Sequence, residues 1–322
     1  MSNTNALEIW LVNIRNANTK RQYQYWFKRF LAFAKEKPDN LVLKGETRKG
    51  ILELDTLVKK FYAKLIEEGY AQSSSYQIMN IIRSFFAYNL VRFPKVPKSF
   101  APTGPDFEQR KDLSKEEFQK MLNSTNSDYE KLILCFLAET GQRRGILTAL
   151  KIKHNKEDLK RNTPVVIHVP EKLLDNNGIN VVKVSIKDGY RFGLTGKTVN
   201  MLIDHLNKRK LLGEELTEES WLLADKTGNP IYGDKIGRIV IRCARIAEIQ
   251  KFVKSGKLGR IAAVHAHTFR SYLKSRMKEA GITDELFLNM ILAHKQPYAS
   301  AYDRFTDEQI KAAYTKAESF LT

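Results

Sequence analysis

Cysteine is scarce, with Cys135 and Cys243 the only two in 322 residues. A lone pair supplies neither a disulfide framework nor a zinc quartet, and each lies in an apolar, helix-like stretch. Both are expected to be reduced, buried packing residues of a cytoplasmic protein. Long apolar runs are also missing. No stretch reaches the about 18 consecutive apolar residues of a membrane-spanning helix, and the N-terminus has no signal-peptide pattern. Membrane insertion and secretion are therefore not expected. Negative charge is under-represented, with 36 Asp+Glu against 54 Lys+Arg and a formal net charge of +18. No carboxylate cluster suited to holding Mg²⁺ stands out, and there is no internal repeat or low-complexity tract.

What is present points to a polyanion. The pI is near 9.7, and each lysine or arginine that meets a phosphate releases condensed counterions. An anionic membrane surface is the competing partner. Hydrophobic residues make up 43% of the chain, enough for sizeable cores, and the length suits two domains of about 100–200 residues each.

Residues 1–92 read as helices. Thr19-Lys-Arg-Gln22 has capping-box spacing, and Tyr23, Phe27, Phe30 and Ala34 recur at helical spacing. Leu57, Phe61, Leu65 and Ile66 mark a second helix ended by Gly69, and Ser74-Ser-Tyr-Gln77 caps a third bearing Ile78, Ile81, Ile82, Phe85 and Phe86. The aromatics suit core packing better than base stacking. The polar faces carry Lys20, Arg21, Lys28, Arg29, Lys59, Lys60 and Arg83. Such faces are usually only solvated, but the overall positive charge favours contact with a DNA backbone.

Four of the nine prolines fall between Phe93 and Pro105, which rules out a continuing helix or an inner strand. Residues 93–112 are read as an interdomain linker. From 113 to 322 the composition is mixed. Ser114-Lys-Glu-Glu117 caps a helix, 128–140 is an apolar helix ending at Gly141, and Val165–Val169, Asn180–Ile186 and Tyr190–Leu194 have strand composition around a Lys187-Asp-Gly189 turn. The pattern is helical again from Thr198, closing with a helix over 307–321. The expected fold is mainly α with a small antiparallel sheet (α+β): a helical module, a linker and a mostly helical second domain.

Taken singly, the chemical residues are unremarkable. His267 and Arg270 are three apart, so a helix puts them on one face, but such pairs are common on surfaces. His294 suits a core histidine, and Tyr302 a packing tyrosine. Arg143, beside Arg144, suits the end of a helix, and Lys187 suits a solvated turn. Their order carries more information. Arg143 in Thr140-Gly-Gln-Arg143 is followed by Lys187 at a hairpin tip, then His267-Thr-Phe-Arg270, Leu292-Ala-His294 and Tyr302.

That series resembles the tyrosine recombinases, the lambda-integrase family of site-specific DNA recombinases, and within it most the integrases of archaeal plasmids and viruses. The resemblance covers about Leu113 to the end; the N-terminal helices match the family's core-binding, DNA-clamping domain more loosely. It implies that Tyr302 attacks the scissile phosphorus, leaving a 3′-phosphotyrosine and a free 5′-hydroxyl, without metal, ATP or any other cofactor. Arg143 and Arg270 would bracket the nonbridging oxygens with charge-assisted, bidentate bonds. Lys187 would protonate the leaving oxygen, His267 would assist removal of the tyrosine proton, and His294 would bond a phosphate oxygen. Duplex DNA is the implied partner, contacted by Lys20, Arg21, Lys28, Arg29, Arg83, Arg144 and Arg242. The resemblance also implies a homo-oligomer, a tetramer on two DNA sites, joined through the C-terminal helix.

The sequence departs from the family pattern in several places. Ala293 stands where glycine usually precedes the second histidine, and the spacing from His294 to Tyr302 is one residue short. Gly145 and Ile146 follow Arg144 where the family often has a supporting glutamate. Lys183 rivals Lys187, and Tyr298 and Tyr314 rival Tyr302. Three alternative functions remain: a type IB topoisomerase-like strand cleavage, a non-catalytic DNA-binding protein, and a metal-dependent nickase built on His265-Ala-His267.

Overall fold

A computed structural model describes residues 5–93, 112–176, 178–182, 189–255, 259–294 and 305–322, without the side chains of 17–18 and 253–261. Two hydrophobic cores organise these residues. The chain clusters into Met1–Gln109 with Phe252–Ile261, and Arg110–Lys251 with Ala262–Thr322. The proline-rich stretch 94–111 lies outside the described residues.

The first unit is helical: α1 (Ala6–Val12), α2 (Ala17–Ala34), α3 (Pro38–Lys44), α4 (Arg48–Glu67) and α5 (Gln72–Tyr88). Its aromatics are packing residues. Trp10, Phe30, Phe85 and Phe86 are fully buried, and the Phe27 and Phe85 rings lie 4.2 Å apart. Two helix starts differ from the sequence reading. Asn16 caps α2, its side chain accepting from the Thr19 amide at 3.0 Å, so Thr19 sits inside the first turn. Helix α5 begins at Gln72 with Ala71 at its N-cap, so Ser74 lies inside the first turn rather than capping it. Gly69 does end α4, in a positive-φ conformation (φ 95°) that favours glycine. Its neighbour Tyr70 donates its amide to the Leu65 carbonyl at 3.0 Å.

The second unit opens with α6 (Lys115–Asn123), where Ser114 and Glu117 form the expected reciprocal capping box. Helix α7 (Asp128–Thr140) follows and is buried from Leu132 onward. It leads through Gly141 into α8 (Arg144–Ala149). Strands β1 (Val165–Val169) and β2 (Tyr190–Leu194) pair antiparallel, with Val165 opposite Leu194. Among the described residues β2 pairs with β1 and Asn180 makes an isolated bridge to Leu174; the rest of the expected 180–186 strand, from 183, lies outside the described residues. Helices α9 (Gly196–Leu211) and α10 (Gly233–Ile246) come next. Strands β3 (Phe252–Ser255) and β4 (Gly259–Ala262) form a second two-stranded sheet. The sequence reading placed no strand here: four-residue strands are too short to show a clear period-two pattern. The unit closes with α11 (Thr268–Glu279), α12 (Glu285–Ile291) and α13 (Asp307–Leu321).

Helix α13 buries Ile310, Tyr314, Ala317 and Leu321 in its own unit. Tyr314 donates its hydroxyl to the Glu139 carbonyl at 2.8 Å. Its ring lies so close to Gly193 that a Cβ there would stand 2.4 Å from Tyr314 Cδ2. At the start of the helix, Asp307 accepts from Arg191 at 2.5 Å and meets His168 Nε2 at 3.0 Å. In this chain the apolar stripe of the helix packs in its own unit. Both cysteines are free and buried, and burial pushes the Cys135 thiol up to about 12.

Candidate active site

The turn after α7 brings the site's elements together. Gly141 adopts the left-handed conformation (φ 56°) and closes α7 through its amide to the Leu137 carbonyl at 2.8 Å. A Cβ at this position would stand 2.7 Å from Leu292 Cδ2 and 3.3 Å from the Arg270 Cα, so only glycine lets α11 and the end of α12 approach this closely. Arg270, in the first turn of α11 and 5% exposed, uses that approach. Its Nη1 donates to the Gly141 carbonyl at 2.8 Å, and its Nη2 donates to the Leu292 carbonyl. The two carbonyls fix the plane of the guanidinium.

Helix α12 ends in a Schellman motif. The Ala293 amide donates to the Met290 carbonyl and the His294 amide to the Asn289 carbonyl, both at 2.9 Å. Ala293 holds the left-handed position (φ 50°) that glycine usually takes. His294 follows, with its Nδ1 3.1 Å from Asn289 Oδ1, which orients the ring and turns Nε2 elsewhere. Arg143 is the N-cap residue of α8, half-buried and with no side-chain capping bond. His267 is exposed at the N-cap of α11, its ring centroid 6.3 Å from that of His265.

These side chains act on one another electrostatically. Arg270 is held down to about 10 by burial and then by the charge of Arg143, against an opposing effect of Tyr190. His294 is shifted down by burial first, then by Arg270, Arg143, Lys274 and His267. The structure thus brings Arg143, His267, Arg270 and His294 into one neighbourhood, with Lys274 added. Lys274 is itself paired with Glu285 at 2.7 Å. Like charges gathered in a partly buried place are costly unless an anion joins them, so the arrangement suits a phosphate. Lys187, Lys183, Tyr298 and Tyr302 lie outside the described residues. Tyr314 is corrected from rival nucleophile to core residue: it is fully buried, and burial raises its phenol above the usual range.

Residues 111–307 match the phage integrase family. The chain is a member of that family of tyrosine recombinases. It is 26% identical over 159 residues to the tyrosine recombinase XerA of Thermococcus onnurineus (strain NA1). That match covers 47% of this chain and 48% of the relative, about half the length of each. Lambda integrase (residues 75–356) bound to DNA shares the fold with a TM-score of 0.54 at 17% identity, over 92% of this chain and 94% of that one. A lambda integrase tetramer bound to a Holliday junction gives 0.52 at 16%, over 94% and 78%.

Against that family fold, the seven cations expected at DNA divide. Lys20 is half-buried, and Arg21 and Lys28 are exposed on α2. Arg29 is bound by Glu68 at 2.7 Å and Tyr70 at 2.9 Å, and Arg83 by Asp55 at 2.7 Å with its guanidinium over the Phe93 ring. Arg242 is paired with Glu130. Arg144 donates to the Gly233 carbonyl at 3.1 Å and remains nearly half exposed. Arg29, Arg83 and Arg242, read from the sequence as DNA contacts, are thus each engaged in an ion pair within the chain.

The sequence reading took only Arg242 from a wider basic face. Helix α10 buries Ile236, Ile239, Val240, Cys243 and Ala244 and exposes Lys235, Arg238, Arg242 and Arg245. That spacing forms a single basic stripe, visible in the sequence as an arginine or lysine every three or four residues. Gln142, Tyr190 and Asn289 were missed as well, because only tertiary contacts give them a role. The nickase alternative needs both histidines on a strand. His265 and His267 instead follow β4 and lead into α11, and His265 Nδ1 meets Thr268 Oγ1 at 3.1 Å. Among the described residues no helix is long and apolar enough to cross a membrane.

Proposed function

We propose that this chain is a site-specific DNA recombinase that cleaves and rejoins duplex DNA through a tyrosine–phosphate intermediate. The observation that carries the reading is the convergence of Arg143, Arg270 and His294: Arg270 bonds the carbonyls of Gly141 and Leu292, two residues before Arg143 and His294 respectively. Family membership over 111–307 supports it. In this reading the two guanidiniums bracket the nonbridging oxygens of the scissile phosphate, where charge grows in the transition state. His294 bonds one of those oxygens, and His267, exposed beside them, assists proton transfer from the nucleophile. Tyr302 as nucleophile and Lys187 as general acid enter from the family order of residues.

The basic stripe of α10, together with Arg144, Lys20, Arg21 and Lys28, would track the DNA backbone. A covalent intermediate conserves the energy of the broken bond, so no ATP or metal is invoked. Several protomers would act together, as in the lambda integrase tetramer on a Holliday junction. A chromosomal or plasmid substrate would place the protein inside the cell with that DNA.

The test uses a nicked suicide duplex from the protein's own element. The expected product is a covalent protein–DNA adduct, formed equally with or without EDTA and absent from Tyr302→Phe. Mapping of the DNA-linked peptide to another tyrosine would overturn the site assignment. Failure to form any adduct on a duplex that the protein binds specifically would overturn the activity.

A further inference from the structure

The site lacks a carboxylate in its usual supporting place, because Ile146 stands where an acid was expected. A neutral pair braces the site from another direction. Tyr190, 5% exposed, donates its hydroxyl to Gln142 Oε1 at 2.9 Å. Gln142, 1% exposed, donates from Nε2 to the Ile291 carbonyl at 2.6 Å and the Thr140 carbonyl at 3.1 Å. The pair therefore ties β2, the turn after α7 and the last turn of α12 into one unit.

The registration of these bonds is informative. Gln142 lies between Gly141, whose carbonyl holds Arg270 Nη1, and Arg143 itself. Ile291 precedes Leu292, whose carbonyl takes Arg270 Nη2. Each carbonyl that orients Arg270 is therefore one residue from an atom or residue held by the Gln142 amide. Tyr190 is also near enough that both guanidiniums act on its phenol. A carboxylate in this position would offset part of the charge that an incoming phosphate has to feel. A phenol and an amide hold the same geometry without doing so.

We propose that Tyr190 and Gln142 are positioning residues, whose hydrogen bond sets the spacing and tilt of Arg143 and Arg270 for a tetrahedral phosphate. This rests on the proposed function only in taking a DNA phosphate as the natural ligand.

The probe is inorganic phosphate, titrated into the full chain and followed by NMR of the arginine side-chain Nε–H groups. Tyr190→Phe removes one oxygen and keeps the ring; Gln142→Met removes the amide and keeps the length. Each should weaken phosphate binding about tenfold. The double variant should lose no more than the weaker-binding single, because Gln142→Met already removes the acceptor of the Tyr190 hydroxyl. Single-turnover adduct formation should fall in parallel, with overall DNA affinity within about twofold of wild type, an outcome that loss of a general structural contact would not give. Wild-type phosphate affinity in folded Tyr190→Phe, additive losses in the double variant, or a wild-type chain that binds no phosphate at these arginines would overturn the proposal. Tyr190-dependent phosphate binding without any DNA adduct would sustain it while removing the recombinase reading. Adduct formation with Tyr190-independent phosphate binding would do the reverse.

Discussion

Replacing Gly141 with alanine tests whether the approach of α11 and α12 to the turn after α7 builds the site. The backbone there is left-handed (φ 56°), which costs an L-residue about 1–2 kcal/mol. The stiffer unfolded chain returns about 0.4–1 kcal/mol of that. The new methyl would also stand 2.7 Å from Leu292 Cδ2 and 3.3 Å from the Arg270 Cα. Making room in a packed core adds typically about 1–3 kcal/mol. The net loss is about 1–5 kcal/mol, or on the order of 2–18 °C in Tm for a unit of this size. Relieving the contact moves the Gly141 carbonyl relative to Arg270, and a displacement of about 1 Å is worth about 10²-fold in rate.

Gly178→Ala is the control: it has a comparable φ of 72° but nothing within 4 Å of a Cβ, so it bears the backbone strain without the collision. Thermal unfolding by circular dichroism and single-turnover cleavage of a nicked duplex give the two readouts. A Gly141→Ala protein that melts with Gly178→Ala and cleaves at the wild-type rate would refute the reasoning.

Two further predictions concern neighbouring groups. Ala293→Gly relieves a left-handed alanine (φ 50°) in the Schellman turn of α12. It should stabilise by about 0.5–1 kcal/mol, the strain removed less the entropy cost of glycine, and a Tm at or below wild type would contradict it. Glu139 is fully buried and accepts from the Thr195 amide and the Thr195 and Thr198 hydroxyls, yet burial pushes its carboxyl up to about 7. A group raised in the folded state contributes stability that is complete below its unfolded value of about 4.5 and is lost as pH rises through 7. Tm measured between pH 5 and 8.5 should therefore fall more steeply for wild type than for Glu139→Gln, and parallel profiles would rule the effect out.

Much of the local structure was legible in the sequence. The Ser114–Glu117 capping box, the end of α7 at Gly141 and the apolar stripe of α13 depend on groups within a few residues of one another. The order of Arg143, His267, Arg270 and His294 was legible for another reason: it is a linear property of the chain. The misreadings concern partners. Arg29 and Arg83 looked like free cations until Glu68 and Asp55, on other helices, were placed against them. Tyr314 looked like a rival nucleophile until its hydroxyl was found on the Glu139 carbonyl. The stripe on α13 was correctly seen as apolar, but periodicity could not say whose core it fills.

The sequence by itself determined where most helices run, that the chain is strongly basic, and which residue types stand in which order, because caps, periodicity and charge are local or additive quantities. Tertiary structure alone decided that Arg270 is aimed by the carbonyls of Gly141 and Leu292, that Tyr190 reaches Gln142, and that the basic face of α10 stays exposed even though its Arg242 is paired with Glu130. Those bonds join residues tens to more than a hundred positions apart. Whether such groups meet depends on how whole helices pack, which no short window of sequence contains.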